Sequence, residues 1–230
     1  MQASLKNITK KYGERTVFSG LNLDFDDGKT TCVLGPSGSG KSTILNILAG
    51  LTDAEGEVIR PEKVSYVFQD SRLFPNMTVW ENVEFVLGNM PEKEKKECIT
   101  RLLETTEMYD RRNDFSCNLS GGMARRVAIA RAYAYPSGLI LMDEPFSALD
   151  PALKMRQIKV FLSLCDSFKR TCVFVTHDIS EALLISDKIY VLGLNGVIKD
   201  GFYINTLKSE RKLFSPEEEK LKAKLWELLV

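Results

Sequence analysis

Gly35, Pro36, Ser37, Gly38, Ser39, Gly40, Lys41 and Ser42 read G-x-x-x-x-G-K-S, a spacing that can hold a triphosphate. Glycines let the backbone curl until successive N–H groups point inward at phosphate oxygens. The lysine can reach the β- and γ-phosphates, and the serine hydroxyl after it can ligate Mg²⁺. The flanks suit this. Residues 29–34 are apolar and β-branched, as in a buried strand. Residues 43–50 (TILNILAG) are apolar at helical spacing and end on a glycine that can stop a helix. A helix starting there adds its partial positive charge to the anion site. The bland alternative is a flexible glycine–serine turn, and the strand before and helix after argue against it. Alone, the motif says "nucleoside triphosphate" and no more.

Other residues could supply the rest of the chemistry. Asp143 and Glu144 close an apolar run, LILM at 139–142. A carboxylate at the exposed end of a buried strand can hold Mg²⁺, usually through water. Its neighbour points the other way, because side chains alternate along a strand, and can polarise a water for attack on the γ-phosphate. His177 is the sole histidine and follows the run CVFVT. It is either a structural histidine or a γ-phosphate contact, and position alone does not decide. Gln69 ends VSYVF in the same way; its amide can ligate Mg²⁺ or place a water, or it simply ends a strand. Tyr12 can stack on an adenine ring or pack on the β start. Ser120, Gly121 and Gly122 form a second glycine cluster at a helix start, with the same anion-binding physics as the first. One chain does not need both for one triphosphate. The expectation is a dimer, each chain offering this helix end to nucleotide held by the other.

The elements that must position these residues follow from periodicity. Residues 5–9, 16–18 and 21–25 alternate as an antiparallel β start, with residues 10–15 and 26–28 as turns. Strands are expected at 57–59, 64–68, 139–142, 172–176 and 188–192. Asn195-Gly196 is a hairpin signal, leading into short strands at 197–198 and 202–204. Helices are expected at 79–87, 93–107, 123–135, 151–168, 180–185 and 216–230. The predicted fold is α/β: a core with a mainly parallel sheet (1–70 and 136–205), an antiparallel β subdomain within its N-terminal part, a helical subdomain inserted at 71–135, and a helical tail at 206–230.

Composition sets outer bounds. The 230 residues, 44% hydrophobic and 27% charged, can bury a sizeable core. Lys plus Arg and Asp plus Glu number 31 each, so no global basic field suggests nucleic acid, although a local patch stays open. No apolar run approaches the ~20 residues that cross a bilayer, and residues 1–6 lack a signal-peptide core. The five cysteines are scattered without C-x-x-C spacing, which points to a reducing cytosol, with Cys32 and Cys172 buried.

Taken together and in order, these motifs resemble the ATP-binding cassette ATPases, specifically the separate nucleotide-binding subunit of a bacterial uptake transporter. The resemblance runs from about Leu5 to Asp200. GPSGSGKS matches the Walker A loop, Gln69 the Q-loop, LSGG (119–122) the signature motif, LILMDE the Walker B strand with catalytic glutamate, SALD (147–150) the D-loop, and His177 the switch histidine. The resemblance implies that Tyr12, residues 35–42, Thr43 and the partner chain's copies of Ser120, Gly121 and Gly122 hold ATP. It implies that Ser42, Gln69 and Asp143 hold Mg²⁺, and that Glu144, His177, Lys41 and Gln69 serve hydrolysis. PFSALD (145–150) looks like uptake systems, and VFQDSRLFPNMTVWENV (67–83) like the nitrate, sulfonate and taurine branch. Gly122-Met123 stands where Gly-Gln is commoner, and Ala124-Arg125 where a basic residue then glutamine is usual. The implied partners are a second cassette chain, a membrane permease docking near 69–83 (with Phe68, Leu73, Phe74 and Trp80 as candidate linings) and, indirectly, a substrate-binding protein. The implied location is the cytoplasmic face of the membrane. No regulatory domain is expected after Val230. The competing readings are an exporter subunit, or a soluble cassette ATPase acting on ribosomes or DNA.

Overall fold

The structure is a computed structural model that describes residues 3–147, 149–211 and 216–229. Ala148 of the expected D-loop, residues 212–215 of the expected tail, and Val230 lie outside the described residues. In chain order the elements are β1 (Ala3–Tyr12), β2 (Arg15–Phe25), β3 (Thr30–Leu34), α1 (Lys41–Ala49), β4 (Glu55–Ile59), β5 (Val64–Val67), α2 (Val79–Glu84), α3 (Glu92–Thr105), α4 (Gly121–Ala134), β6 (Leu139–Asp143), α5 (Pro151–Phe168), β7 (Thr171–Thr176), α6 (Ile179–Ile185), β8 (Lys188–Leu192), β9 (Ile198–Tyr203) and α7 (Pro216–Leu229).

Two sheets form. A three-stranded antiparallel sheet has the order β2-β1-β4, and a six-stranded sheet has the order β5-β6-β7-β3-β8-β9. Every pairing in the larger sheet is parallel except that of edge strand β9 with β8. Its inner strands are apolar on both faces because both faces are covered. Residues alternate between two cores as the pleat requires. Cys32 and Leu34, Ile140 and Met142, Cys172 and Phe174 face a core shared with α2 to α6. Val33, Leu139, Leu141, Val173 and Val175 face a core shared with α1 and the antiparallel sheet. Cys32 and Cys172 are fully buried, in line with their apolar settings.

Several expected boundaries move: residues 16–18 and 21–25 join in the single strand β2, and α2 stops at Glu84 rather than at residue 87. Residues 10–15 are not all turn: β1 runs to Tyr12, which pairs with Arg15, and the turn contracts to residues 13–14. This hairpin extends beyond the apolar core, so backbone pairing continues where hydrophobic alternation stops. The two short strands expected at 197–198 and 202–204 are one strand, with Asp200 and Gly201 paired to Val191 and Tyr190. An edge strand half in water needs no apolar run to hold its ladder. Helix α4 starts at Gly121, before the first apolar residue of its pattern, because Ser120 caps it.

Candidate functional site

Parallel pairing brings the ends of four strands to one edge. Leu34 pairs with Thr176, Asp143 with Val175, and Val67 with Met142, so the strands stop at nearly one level. Gly35 N–H donates to Thr176 O at 3.2 Å and Glu144 N–H to Val175 O at 3.1 Å, which stitches the first residues beyond the strands. Gly35, Gln69, Glu144 and His177 therefore leave the sheet on the same side, where open parallel sheets bind ligands.

The glycine loop is tightly wrapped. Gly40 caps α1 with φ +103° and no side-chain cap, and a Cβ there would lie 2.7 Å from the Phe18 ring. A residue other than glycine is excluded both by backbone strain and by space. The first N–H groups of α1 thus lack a side-chain cap and remain available to an anion. Gly50 ends the helix in left-handed geometry, as its place after the apolar run predicts. The Ser39 hydroxyl is buried without a partner in the loop. Lys41 is buried, and its ammonium donates to Gly35 O and Pro36 O, both at 2.9 Å. Burial pulls its pKa down, against the nearby Glu144 and Asp143 charges. Burial pushes the Asp143 carboxyl above its usual range, opposed by a hydrogen bond from Ser42.

A cleft of about 380 Å³ opens over the loop, lined by Tyr12, Arg15, Val17, Ser37, Gly38, Gly40, Lys41, Ser42, Thr43 and Glu144. Arg15 and Val17 are additions to the residues singled out by sequence. No sequence signal marks Arg15; its pairing with Tyr12 across the hairpin, which brings it to the cleft, exists only in the folded sheet. Arg15 also donates to Gly38 O at 3.4 Å. Hydroxyl and carboxylate oxygens at Ser42 and Asp143 suit a hard cation such as Mg²⁺. Among the described residues no three His, Cys, Asp or Glu side chains converge to hold a metal. A cation here would complete its shell with phosphate oxygens and water, as Mg²⁺ commonly does.

Glu144 has φ +45°, a left-handed conformation that costs a non-glycine residue of order 1 kcal/mol or more. A turn holds it, with Ser147 N–H and Oγ both donating to Glu144 O. The result aims Glu144 into the cleft and sets its Oε1 3.1 Å from Nδ1 of His177. His177 is half-exposed on its other side. Its loop is tethered: Lys154 of α5 pairs with Asp178 at 2.7 Å and with Glu181 at 2.8 Å. Thr176 Oγ1 donates to Glu181 at 2.6 Å, and Asp178 caps α6.

Other candidate residues stand apart from the cleft. Gln69 is exposed and does not line it; its carbonyl, and that of Phe68, accept from Arg125 of α4. Ser120, Gly121 and Gly122 do not line it either. Their helix start packs inward on α5, where Gln157 donates to Gly122 O at 3.2 Å, while nothing lies within 4 Å of a Cβ built on Gly121. Of the four residues expected to line a docking groove, only Phe74 is exposed; Leu73 and Trp80 pack against the core. Phe85 and Phe115, missed by the sequence reading, are exposed in the same region, and the Phe85 ring lies 4.8 Å from that of Phe74. Among the described residues no helix is long and apolar enough to cross a membrane.

Comparison with known proteins adds independent findings. Residues 18–147 match the family model described as ABC transporter. The sulfate/thiosulfate import ATP-binding protein CysA 1 of Shewanella oneidensis is 40% identical over 86% of this chain and 57% of its own length. The aliphatic sulfonates import ATP-binding protein SsuB of Granulibacter bethesdensis is 39% identical over 82% of this chain and 79% of its own. A dimeric ABC transporter cassette, MJ0796, superposes with a TM-score of 0.77 at 34% identity, over 90% of this chain and all of that one. The same cassette is known in a post-hydrolysis state bound to ADP and Pi. The chain spans 57–60% of the length of the sulfate and polyamine relatives it matches.

Proposed function

The chain belongs to the ABC transporter family, and we propose that it is the ATP-binding and hydrolysing subunit of a bacterial importer. The observation that carries this reading is Glu144, aimed into the cleft over the phosphate loop by a left-handed backbone and set within hydrogen-bond reach of His177.

In this reading the loop amides, Lys41, Ser42 and Thr43 bind the phosphates, and Tyr12 stacks on the adenine. Ser42, Asp143 and, on closure of the site, Gln69 would hold Mg²⁺, which would supply charge neutralisation to the phosphates. Glu144 takes the proton of the attacking water on its carboxylate, and His177 holds the γ-phosphate end of the site. Most of the rate comes from positioning and charge neutralisation, which a buried, pre-wired site supplies. Ser120, Gly121 and Gly122 of a second copy complete each site, so ATP binding closes a dimer. The helical segment at 71–135 moves as that dimer closes. The exposed aromatics Phe74, Phe85 and Phe115 offer the permease an apolar foothold, and a substrate-binding protein delivers solute on the far side. The chain lies peripherally on the cytoplasmic face. The import assignment is supported by the import relatives and by the stretch 145–150.

The test is Glu144→Gln. ATP binding should persist, an ATP-dependent dimer should accumulate on gel filtration, and turnover should fall by about 10²–10⁴-fold. Undiminished turnover in that variant would remove Glu144 from catalysis and the reading with it.

A further inference from the structure

We propose that Arg125 is a positioning residue that ties the Gln69 segment to helix α4 and sets a fixed positive charge beside Asp143, weakening divalent-cation binding in this chain. The proposal rests on the nucleotide reading of the cleft given above.

Arg125 lies near the start of α4, just past the second glycine cluster, and only 9% of it is exposed. Its guanidinium forks onto two successive carbonyls, Phe68 O and Gln69 O. A planar fork with several N–H donors suits that arrangement; a glutamine amide has fewer donors, and an ammonium no fixed fork. Farther along the same helix, Arg131 donates to Ser71 O at 3.2 Å and Arg72 O at 2.9 Å. The Arg72 guanidinium in turn lies 3.7 Å from the centre of the Phe68 ring. One helix thus grips residues 68–72 at both ends, and Gln69 moves with α4.

The charge has a separate consequence. Val67 pairs with Met142, which puts Phe68 and Asp143 level on adjacent strands, and the guanidinium is bonded to Phe68 O at that level. Lys41, held at Gly35 O on the same sheet edge, is the second cation whose charge reaches Asp143. Asp143 is therefore flanked by cations from two elements before any metal arrives. A divalent cation at Ser42 and Asp143 must bind against both. Glutamine, usual at this position in the branch the sequence resembles, would leave Lys41 alone.

The experiment compares the wild-type chain with Arg125→Gln and Arg125→Lys, each loaded with a non-hydrolysable ATP analogue. Mn²⁺ binding is read by electron paramagnetic resonance, and amide exchange over 68–72 by mass spectrometry. Arg125→Gln should bind Mn²⁺ about fivefold tighter, the size of one partly screened charge at short range. Arg125→Lys, which keeps the charge, should match the wild type in Mn²⁺ affinity. Both variants should exchange the 68–72 amides faster, by about fivefold or more, because both lose the fork. Unchanged Mn²⁺ affinity in Arg125→Gln, or an equal rise in Arg125→Lys, overturns the charge role; unchanged exchange in both overturns the tie. If Arg125→Gln does not fold, Arg125→Lys still decides the tie: slow exchange there sinks it. A wild-type chain that binds neither analogue nor Mn²⁺ overturns the nucleotide reading, and the proposal with it.

Discussion

Helices α1 and α4 both begin beside serines and glycines, and the two starts are built in opposite ways. At α1 the chain closes over its own loop: Gly40 is crowded by Phe18 and Val17, the Ser39 hydroxyl is buried without a partner, and the Lys41 ammonium is buried. At α4 a side chain, Ser120, caps the helix by accepting from Met123 N–H at 3.4 Å, and Gly121 faces open space. The first is a site the chain assembles within itself. The second leaves Gly121 uncovered by its own chain, which is where the proposed second copy would dock. Helix α5 links the second start to the His177 loop: Leu153 and Gln157 pack under Gly122, and Lys154, next along, holds the loop that carries His177.

The sharpest way to break this contrast is to add a methyl group at each start. Gly40→Ala must adopt φ near +103° and displace the Phe18 ring. It should lose ATP binding in a fluorescent-nucleotide titration and cost about 1–3 kcal/mol of stability. Gly121→Ala meets nothing. Its stability should stay within about 0.5 kcal/mol of the wild type. Its nucleotide affinity as a monomer should not change, while ATP-driven self-association, followed by analytical ultracentrifugation, should weaken about tenfold, or ~1.4 kcal/mol. Loss of monomer nucleotide binding in Gly121→Ala would mean that both starts serve one chain's own site.

The smallest effect probes the connection through α5. Asp178→Asn keeps the cap on α6 but loses the charge attraction to Lys154. Burial alone would raise the Asp178 carboxyl; the hydrogen bond and charge of Lys154 bring it below 3.8 overall. A carboxyl depressed in the folded state contributes stability that is complete above its unfolded value and lost as pH falls through the folded one. Urea unfolding at neutral pH should show the variant about 0.5–1 kcal/mol less stable. The gap should close as pH falls below 3.8. A gap that does not change with pH would assign the effect to packing rather than charge.

Much of this was legible in the sequence because its signals are local. The loop at 35–42 needs a strand before it and a helix after it, and both are written in adjacent residues. The apolar runs at 139–142 and 172–176 read as buried strands, and they are fully covered on both faces. The length of the hairpin around Tyr12 and the continuity of β9 are not legible in the sequence, because pairing there is sustained by backbone bonds at exposed positions rather than by hydrophobic alternation. Arg15 carries no mark in the sequence, and Arg125 stands out only as a departure from the usual glutamine, with no sign of what it contacts. An arginine in a polar hairpin or on a helix looks like a solvated surface charge until the fold shows what it faces.

The sequence by itself determined the strand–loop–helix that can cradle phosphates, the α/β class and the order of the candidate site residues, because each follows from neighbouring residues and their periodicity. Only the tertiary structure decided which of those residues meet. The parallel sheet, with an order unlike the chain's own, carries the residues after β3, β6 and β7 to one edge. Side-chain placement then sets Glu144 against His177 and Arg125 against the Gln69 segment, pairings 33 and 56 residues apart in the chain. Contacts at that range depend on strand register and helix packing, which no short stretch of sequence encodes.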